Sequence, residues 1–585
     1  MANFRKTLAR LFTFEEPKTK ERFILKETEE EMAEGGQKEQ DKKVEPRKKK
    51  NEGLQLNKKS GENEENKGPK PDISKALSEN MERIKDIYSI PTNGDAVLRE
   101  FDLVVKNKVI PAFMVFFDGM TDRKVINDDI LQPLMLLSNL DIKSDEKSIA
   151  DYIRSHILPH NQLKEFKAIE QVVQGVNFGG CGIFIDGVDS AFVADVKGWE
   201  HRAVERPNTE QTIRGPQEGF TELLRANTAL IRKILNDEDL IAESLTIGRR
   251  SRTPCSMMYI KDITNDSLVK EVRRRLKSIK VDYLFDSGEL EQLIEDSSFL
   301  PVPQIMVTER PDKAASMLAE GKVVVVMHGS PFALCMPVTN NELLHSPEDS
   351  YVRFPYANLL RFVRIMGVFL SLLLPGLYVA ITNYHQEMIP TSLLFAIEAS
   401  RERVPFPSVV EILIMEISFE LIREAGIRIP GPIGPTLGII GALILGQAAV
   451  AANIVSPILI IIVAVTGIGS FAIPNFALAL GFRVLRYAYI LLGAIAGFLG
   501  ITTGLFLQGI WFVSEKSFGV PYMAPFASKT AGGIADQFAR PPFWKQEKRA
   551  DYMNVKDARK QPHISRGWKS QEGEDQKEED DDAGK

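Results

Sequence analysis

Cysteine is scarce in this chain. There are three in 585 residues, Cys181, Cys255 and Cys335, and no C-x-x-C, which excludes zinc knuckles and dithiol redox motifs. Three well-separated thiols fit buried side chains in a reducing compartment. Seven histidines, with no H-E-x-x-H, no P-loop and no G-x-S-x-G, leave no recognisable metal, nucleotide or nucleophile chemistry. No enzyme activity and no cofactor are therefore expected. The net charge is only −6, because basic and acidic blocks nearly cancel, and it gives no support for nucleic-acid binding. "MANFRKTLARLF" is not followed by a small-residue cleavage site, so the N-terminal region is expected to stay in the cytoplasm.

What is present is segregated along the chain. Residues 1–80 and the end of 515–585 are dense in both charge signs and bury too little apolar surface to order themselves; they read as a disordered arm and an acidic, disordered tail. "PRKKK" (46–50) in the arm is a candidate for anionic lipid headgroups. Residues 81–352 alternate apolar strands and helices. "IPAFMVFFDGM" (110–120) reads as a buried strand, "GCGIFIDGVDSAFVADVKG" (180–198) as a hairpin around Asp186-Gly187, and "EGKVVVVMHGSPFALCMP" (320–337) as a second strand pair. "EGFTELLRANTALIRKIL" (218–235) has helical spacing. The pattern predicts an α/β region of two subdomains, 81–214 and 215–352. Arg214, Gly215, Pro216, Glu218 and Gly219 are expected at their junction.

Residues 353–514 predict an all-α polytopic membrane domain, with spans at about 362–382, 434–453, 456–473 and 487–513. Arg353, Arg361 and Arg364 mark the N-terminal side of the first span as cytoplasmic. With four crossings Arg483 and Arg486 fall outside, against the same rule. A further apolar stretch carries Glu416, Glu420 and Glu424 on one helical face, with Glu411 off it. Four carboxylates in one lipid-exposed helix would cost several kcal/mol, so 408–425 is expected as an amphipathic helix that lies on the membrane or packs with its acids facing water.

Two stripes of small residues run down these spans: Gly434, Gly438, Ala442 and Gly446, and Gly493, Gly497, Gly500 and Gly504. In lipid, small residues let helix backbones approach for dispersion contact, within one chain or between copies. Gln447 lies off the first stripe. It is either a helix–helix hydrogen-bonding amide or, with Val450 one turn on, the narrow part of a water-filled path whose mouth carries Glu416, Glu420 and Glu424.

"FFDGMTDRKVINDDILQPLM" (116–135), "ERPNTEQTIRGPQEGFTELLRANTALIRK" (205–233), "PQIMVTERPDKAASMLAEGKVVVVMHGSP" (303–331) and "GALILGQAAVAANIVSPILIIIVAVTGIGSFAIPN" recur in an order that resembles the A subunit of GerA-type spore germination receptors. The resemblance runs from about 81 to 543. It departs at His328, where the family usually has an acidic residue before Gly-Ser-Pro; His328 reads as a structural loop residue. The resemblance implies a nutrient receptor in the spore inner membrane with N- and C-terminal regions cytoplasmic. It implies assembly with a transporter-like integral-membrane B subunit and a C-subunit lipoprotein. It also implies a homo-oligomer, a pentamer by analogy, that releases ions when nutrient binds, with the nutrient site mainly in the B subunit. Alternatives are a paralogous channel component that recognises no nutrient, and a secondary transporter subunit.

Overall fold

The structure, a computed structural model, describes residue 25 and residues 73–105, 108–136, 163–198, 206–207, 209–428, 441, 444–526 and 539–562. Most of the charged arm, the acidic tail and the first three residues of the first small-residue stripe lie outside them; the last residues expected in the arm, 73–80, are described and include the start of a helix at Leu77. Two five-stranded antiparallel sheets make up the first half. Strands β1 (Ala96–Val105), β2 (Lys108–Phe117), β3 (Leu163–Phe166), β4 (Cys181–Ile185) and β5 (Ala191–Ala194) pair in the order β1-β2-β4-β5-β3. Strands β6 (Leu240–Ile247), β7 (Thr253–Ile260), β8 (Met306–Thr308), β9 (Val323–Met327) and β10 (Ala333–Met336) pair in the order β6-β7-β9-β10-β8.

These are the same topology twice. Helix α1 (Leu77–Ile87) precedes the first sheet and α2 (Ile169–Asn177) leads into β4. Helix α3 (Leu224–Ile234) precedes the second sheet. There α4 (Asp266–Ser278) and α5 (Ser287–Ile294) follow β7, and α6 (Pro311–Ala319) leads into β9. The second halves of the two units correspond at one constant interval, from 169 to 311, from 181 to 323 and from 191 to 333. Gly179 (φ 89°) and Gly321 (φ 86°) close the two equivalent helices in the left-handed conformation that glycine adopts without strain. The strands β4, β5, β9 and β10 are buried throughout, which explains why they read as continuous apolar runs. Local polar residues fix the helix starts. Asn265 accepts the Ser267 N–H at 2.9 Å, Asp286 accepts that of Gly288 at 3.1 Å, and Pro311 takes the first turn of α6.

The second half is helical: α7 (Phe354–Tyr384), α8 (Thr391–Arg401), α9 (Ser408–Arg428), a helical stretch at 444–451, α10 (Pro457–Phe471) and α11 (Phe476–Ser514). Among the described helices, α7 and α11 are long and apolar enough to cross a membrane. Helix α11 is not straight. At Gly497 the backbone leaves the helical region (φ 58°, ψ −136°) and the chain doubles back. The Tyr489 hydroxyl donates to the side chain of Gln508, residues that would stand about 28 Å apart on a continuous helix. A Cβ at Gly500 would lie 2.1 Å from the Leu492 carbonyl oxygen. The single span expected at 487–513 is therefore part of a helical hairpin with limbs 476–496 and 498–514.

Both ends of that hairpin return to one place on the second α/β subdomain. Before it, Asn475 caps the Leu478 N–H at 2.9 Å and lies 3.9 Å from the Met306 sulfur, while Gly481 backs directly onto the Pro301 carbonyl. After it, the Ser517 hydroxyl donates to the Gln304 carbonyl at 2.7 Å, and the Tyr522 hydroxyl to that of Pro303 at 3.0 Å. Residues 539–562 then run along the same subdomain, where Val555 packs on Gly321 and Lys556 Nζ pairs with Asp266 at 2.7 Å.

Candidate functional site

A seam of ion pairs joins α9 to its neighbours. Glu411 is fully buried, accepts the Ser456 N–H at 3.1 Å and pairs with Arg401 at 3.3 Å. Five residues on, Glu416 meets Arg486 at 2.6 Å with both side chains buried. Glu420, half exposed, pairs with Arg423 at 2.9 Å and with Arg483 at 3.3 Å. Glu424 is exposed. Buried charges are tolerated when each is paired and hydrogen-bonded, and here each buried acid has its arginine.

That geometry corrects the expectation for 408–425. The helix packs inside the bundle through Ile412 and Met415, and Glu416 faces an arginine rather than water. Glu416, Glu420 and Glu424 thus do not form one open carboxylate face; only Glu420 and Glu424 reach the surface of the chain. Nothing in the spacing of the sequence reveals Arg483 and Arg486 as the partners of Glu420 and Glu416. With α11 folded at Gly497, both arginines lie on the first limb, 476–496, facing α9. The available signal was Gly497 itself, which was counted as a stripe residue.

The second small-residue stripe packs within the chain. Gly493 backs onto the Gly376 carbonyl of α7, where a Cβ would sit 2.6 Å from the oxygen, and Gly500 and Gly504 face the opposite limb at Leu492 and Tyr489. Gly434, Gly438 and Ala442 lie outside the described residues. Gly446 is in ordinary contact with Ile460, where a Cβ would have room at 3.7 Å. Gln447 is exposed on the surface of the chain, and Val450 packs at the edge of a cluster with Tyr378, Ile412 and Leu459. A cavity of about 270 Å³ lies between the end of α7 and α8, lined by Thr382, Gln386, Leu394, Ile397 and Arg401.

The junction of the α/β subdomains is not where the sequence pattern put it. Gly215 (φ 121°) lies against the Tyr351 ring, the Pro216 carbonyl accepts from Arg310 at 2.9 Å, and Glu218 pairs with Lys233 at 2.6 Å. Arg310, fully buried, also donates to Thr212 and Asp312, so this stretch is docked on the second subdomain. The subdomains meet instead at Asn93-Gly94-Asp95. Arg232 of α3 pairs with Asp95 at 2.7 Å, donates to Asn93 at 3.1 Å and lies 4.1 Å over the Phe117 ring. The Gly94 N–H donates to Ala242 at 2.9 Å. Glycines near 215 are linker chemistry, whereas a buried Arg–Asp pair carries no spacing that a sequence reveals. The three cysteines are buried and unpaired, and burial pushes their thiols up to about 12, which suits inert core residues.

Known proteins are similar to this chain. A family profile described as Bacillus/Clostridium GerA spore germination protein matches residues 82–552. Spore germination protein KA of Bacillus subtilis (strain 168) is 38% identical over 502 residues, 85% of this chain and 91% of that one. An uncharacterized membrane protein of the same organism, YfkQ, is 37% identical over 479 residues, 82% of this chain and 91% of that one. The crystal structure of the N-terminal domain of the A subunit of the Bacillus megaterium spore germinant receptor GerK3 shows 31% identity, covers 46% of this chain and 96% of that one, and superposes with a TM-score of 0.35. Two antiparallel α/β units followed by a helical half therefore belong, in this chain, to a member of the GerA spore germination protein family.

Proposed function

We propose that this protein is the A subunit of a nutrient germinant receptor that forms a ring of copies in the spore inner membrane and conducts ions when nutrient binds. The observation that carries the reading is the attachment of both ends of the 476–514 hairpin to residues 301–306, on a chain related over residues 82–552 to spore germination proteins. A change in the α/β half is thereby delivered directly to the helices. In this reading α7, α9, the span expected at about 434–453, α10 and the two limbs of α11 each cross the bilayer, and both termini face the cytoplasm. Supporting that side, Arg353, Arg361 and Arg364 lie at or within three turns of the start of α7, where the α/β half ends. A B subunit and a C lipoprotein complete the receptor.

Glu420 and Glu424 serve as a carboxylate rim that concentrates cations at the mouth, and Gln447 with Val450 forms the narrow part. The test is Val450→Ala in spores. A wider constriction leaks potassium and germinates without nutrient. Normal assembly with neither leak nor spontaneous germination overturns the placement. A second reading, a channel component that recognises no nutrient, is favoured by the similarity to YfkQ, which is named for no germination role. Spores lacking the partnering B subunit separate the two: the receptor falls silent, the independent component does not.

A further inference from the structure

The break in α11 is capped on both sides by two consecutive residues at the end of α7. A helix that stops at 496 leaves its last carbonyls without intrahelical partners, and one that restarts at 498 leaves its first N–H groups bare. The Tyr384 hydroxyl donates to the carbonyls of Ala494 and Ile495, at 2.8 and 3.0 Å. His385 Nε2 accepts the Phe498 N–H at 3.3 Å, and its ring lies against that of Phe498 with centroids 4.8 Å apart. Between them Gly497 takes φ 58°, and a Cβ there would stand 3.0 Å from the same Nε2. The tyrosine closes the first limb and the histidine opens the second.

The two caps differ in chemistry. A tyrosine hydroxyl remains a donor across the range in which histidine titrates. An imidazole accepts only through an unprotonated nitrogen, so the bond from Phe498 requires the tautomer with its proton on Nδ1. A second proton turns Nε2 into a donor facing another donor, with no lone pair left for the Phe498 N–H. It also sets a full positive charge at a helix N-terminus, the end that disfavours cations. Both effects act against the closed break. The other ionisable groups at this end of the bundle are Tyr384, Glu387 in the turn after it, and Glu398, Arg401 and Glu402 of α8, across the cavity beside Gln386. Helix α9 contributes Glu411, which Arg401 already holds, and α11 carries no ionisable side chain from 490 to 514. Carboxyl and phenol groups ordinarily titrate outside about pH 5 to 8, and histidine within it.

We propose that His385 is a proton-operated catch on the α11 fold-back: neutral, it fastens the second limb; protonated, it releases it. Both ends of the hairpin are anchored at residues 301–306, so the catch sits at the opposite end, about 30 Å away along the first limb. Acidity there loosens the turn while the anchored ends stay in place. The inference rests on the fold-back at Gly497, and on neither ion conduction nor a membrane placement.

The experiment uses the full chain in detergent with a nitroxide on Leu499→Cys; Leu499 is exposed, and the three native thiols are buried. Between about pH 8 and pH 5 the ratio of mobile to ordered label should rise about tenfold, as expected for one lost hydrogen bond and an unfavourable charge at a helix end. A label on Val484→Cys, within the first limb, should not change. His385→Gln, whose side-chain carbonyl accepts without titrating, should stay ordered at both pH values. His385→Phe, which keeps a ring but no acceptor, should be mobile at both. Should neither variant fold, the triple change Glu387→Gln, Glu398→Gln, Glu402→Gln decides, because the response must survive it. A label equally ordered at both pH values in the unmodified background overturns the proposal. So does a response that persists in His385→Gln or vanishes in the triple variant, or an ordered label in His385→Phe. Release of the Val484 label together with that at Leu499 overturns a local catch in favour of general unfolding.

Discussion

Arg486 holds Glu416 at 2.6 Å from a helix 70 positions away in sequence, and the same guanidinium donates to the Ser371 carbonyl and hydroxyl at 2.6 and 2.9 Å. One side chain therefore ties α9, α7 and the first limb of α11. Arg486→Leu leaves a carboxylate buried and unpaired, which should destabilise the protein by about 3–5 kcal/mol. The double change Glu416→Gln, Arg486→Leu should recover most of that loss. Thermal unfolding of the four proteins in detergent, analysed as a double-mutant cycle, checks this. A double variant as unstable as Arg486→Leu alone would show that the charge pair is not what fixes the three helices.

The hairpin makes a prediction in distance. Spin labels at Val484 and Val513, both exposed, should report a short separation rather than the roughly 44 Å of an unbroken helix. Gly500→Ala should lengthen and broaden that distribution, since its Cβ would meet the Leu492 carbonyl oxygen at 2.1 Å and backbone must move. A single long distance in the unmodified sequence would refute the fold-back at Gly497.

A pH dependence belongs to the α/β half. Burial, with a smaller contribution from the Glu295 carboxylate, pushes Glu291 up from 4.5 to about 7. A carboxyl whose pKa is raised on folding favours the native state most below its unfolded pKa, and that stability is lost as pH rises through about 7. Glu291→Gln should flatten the stability profile between pH 5 and 7 and stabilise the protein by about 1–2 kcal/mol at pH 8, below the full linkage value because the carboxylate keeps some solvent. Chemical denaturation at several pH values measures it. A profile unchanged by the substitution would count against the burial of this carboxyl.

Much of the α/β half was legible because its signals are local. Asp186-Gly187 marked the β4–β5 turn, and Gly187 has φ 79°; the apolar runs at 320–337 became β9 and β10. The repetition of that unit was not legible, since its copies share glycine positions and burial but few side chains. In the helical half, apolar length placed α7 and α10, while the charges misled. Carboxylates on one helix face suggest water when their partners are unknown, and Arg483 and Arg486 are supplied from 63 and 70 residues away. Gly497 was ambiguous for a physical reason: the missing Cβ that permits close packing also permits positive φ.

The contacts on residues 301–306 also set an order of manufacture. Pro303 and Gln304 are made early, but the groups that cover them, Tyr522 and Ser517, emerge only after the whole helical half, and Val555 reaches Gly321 later still. A ribosome paused anywhere in the helices carries a second subdomain whose sheet is complete and whose flank is bare. The second subdomain, made before the helices, is thus sealed after them, and a chain truncated among the helices displays an unfinished surface.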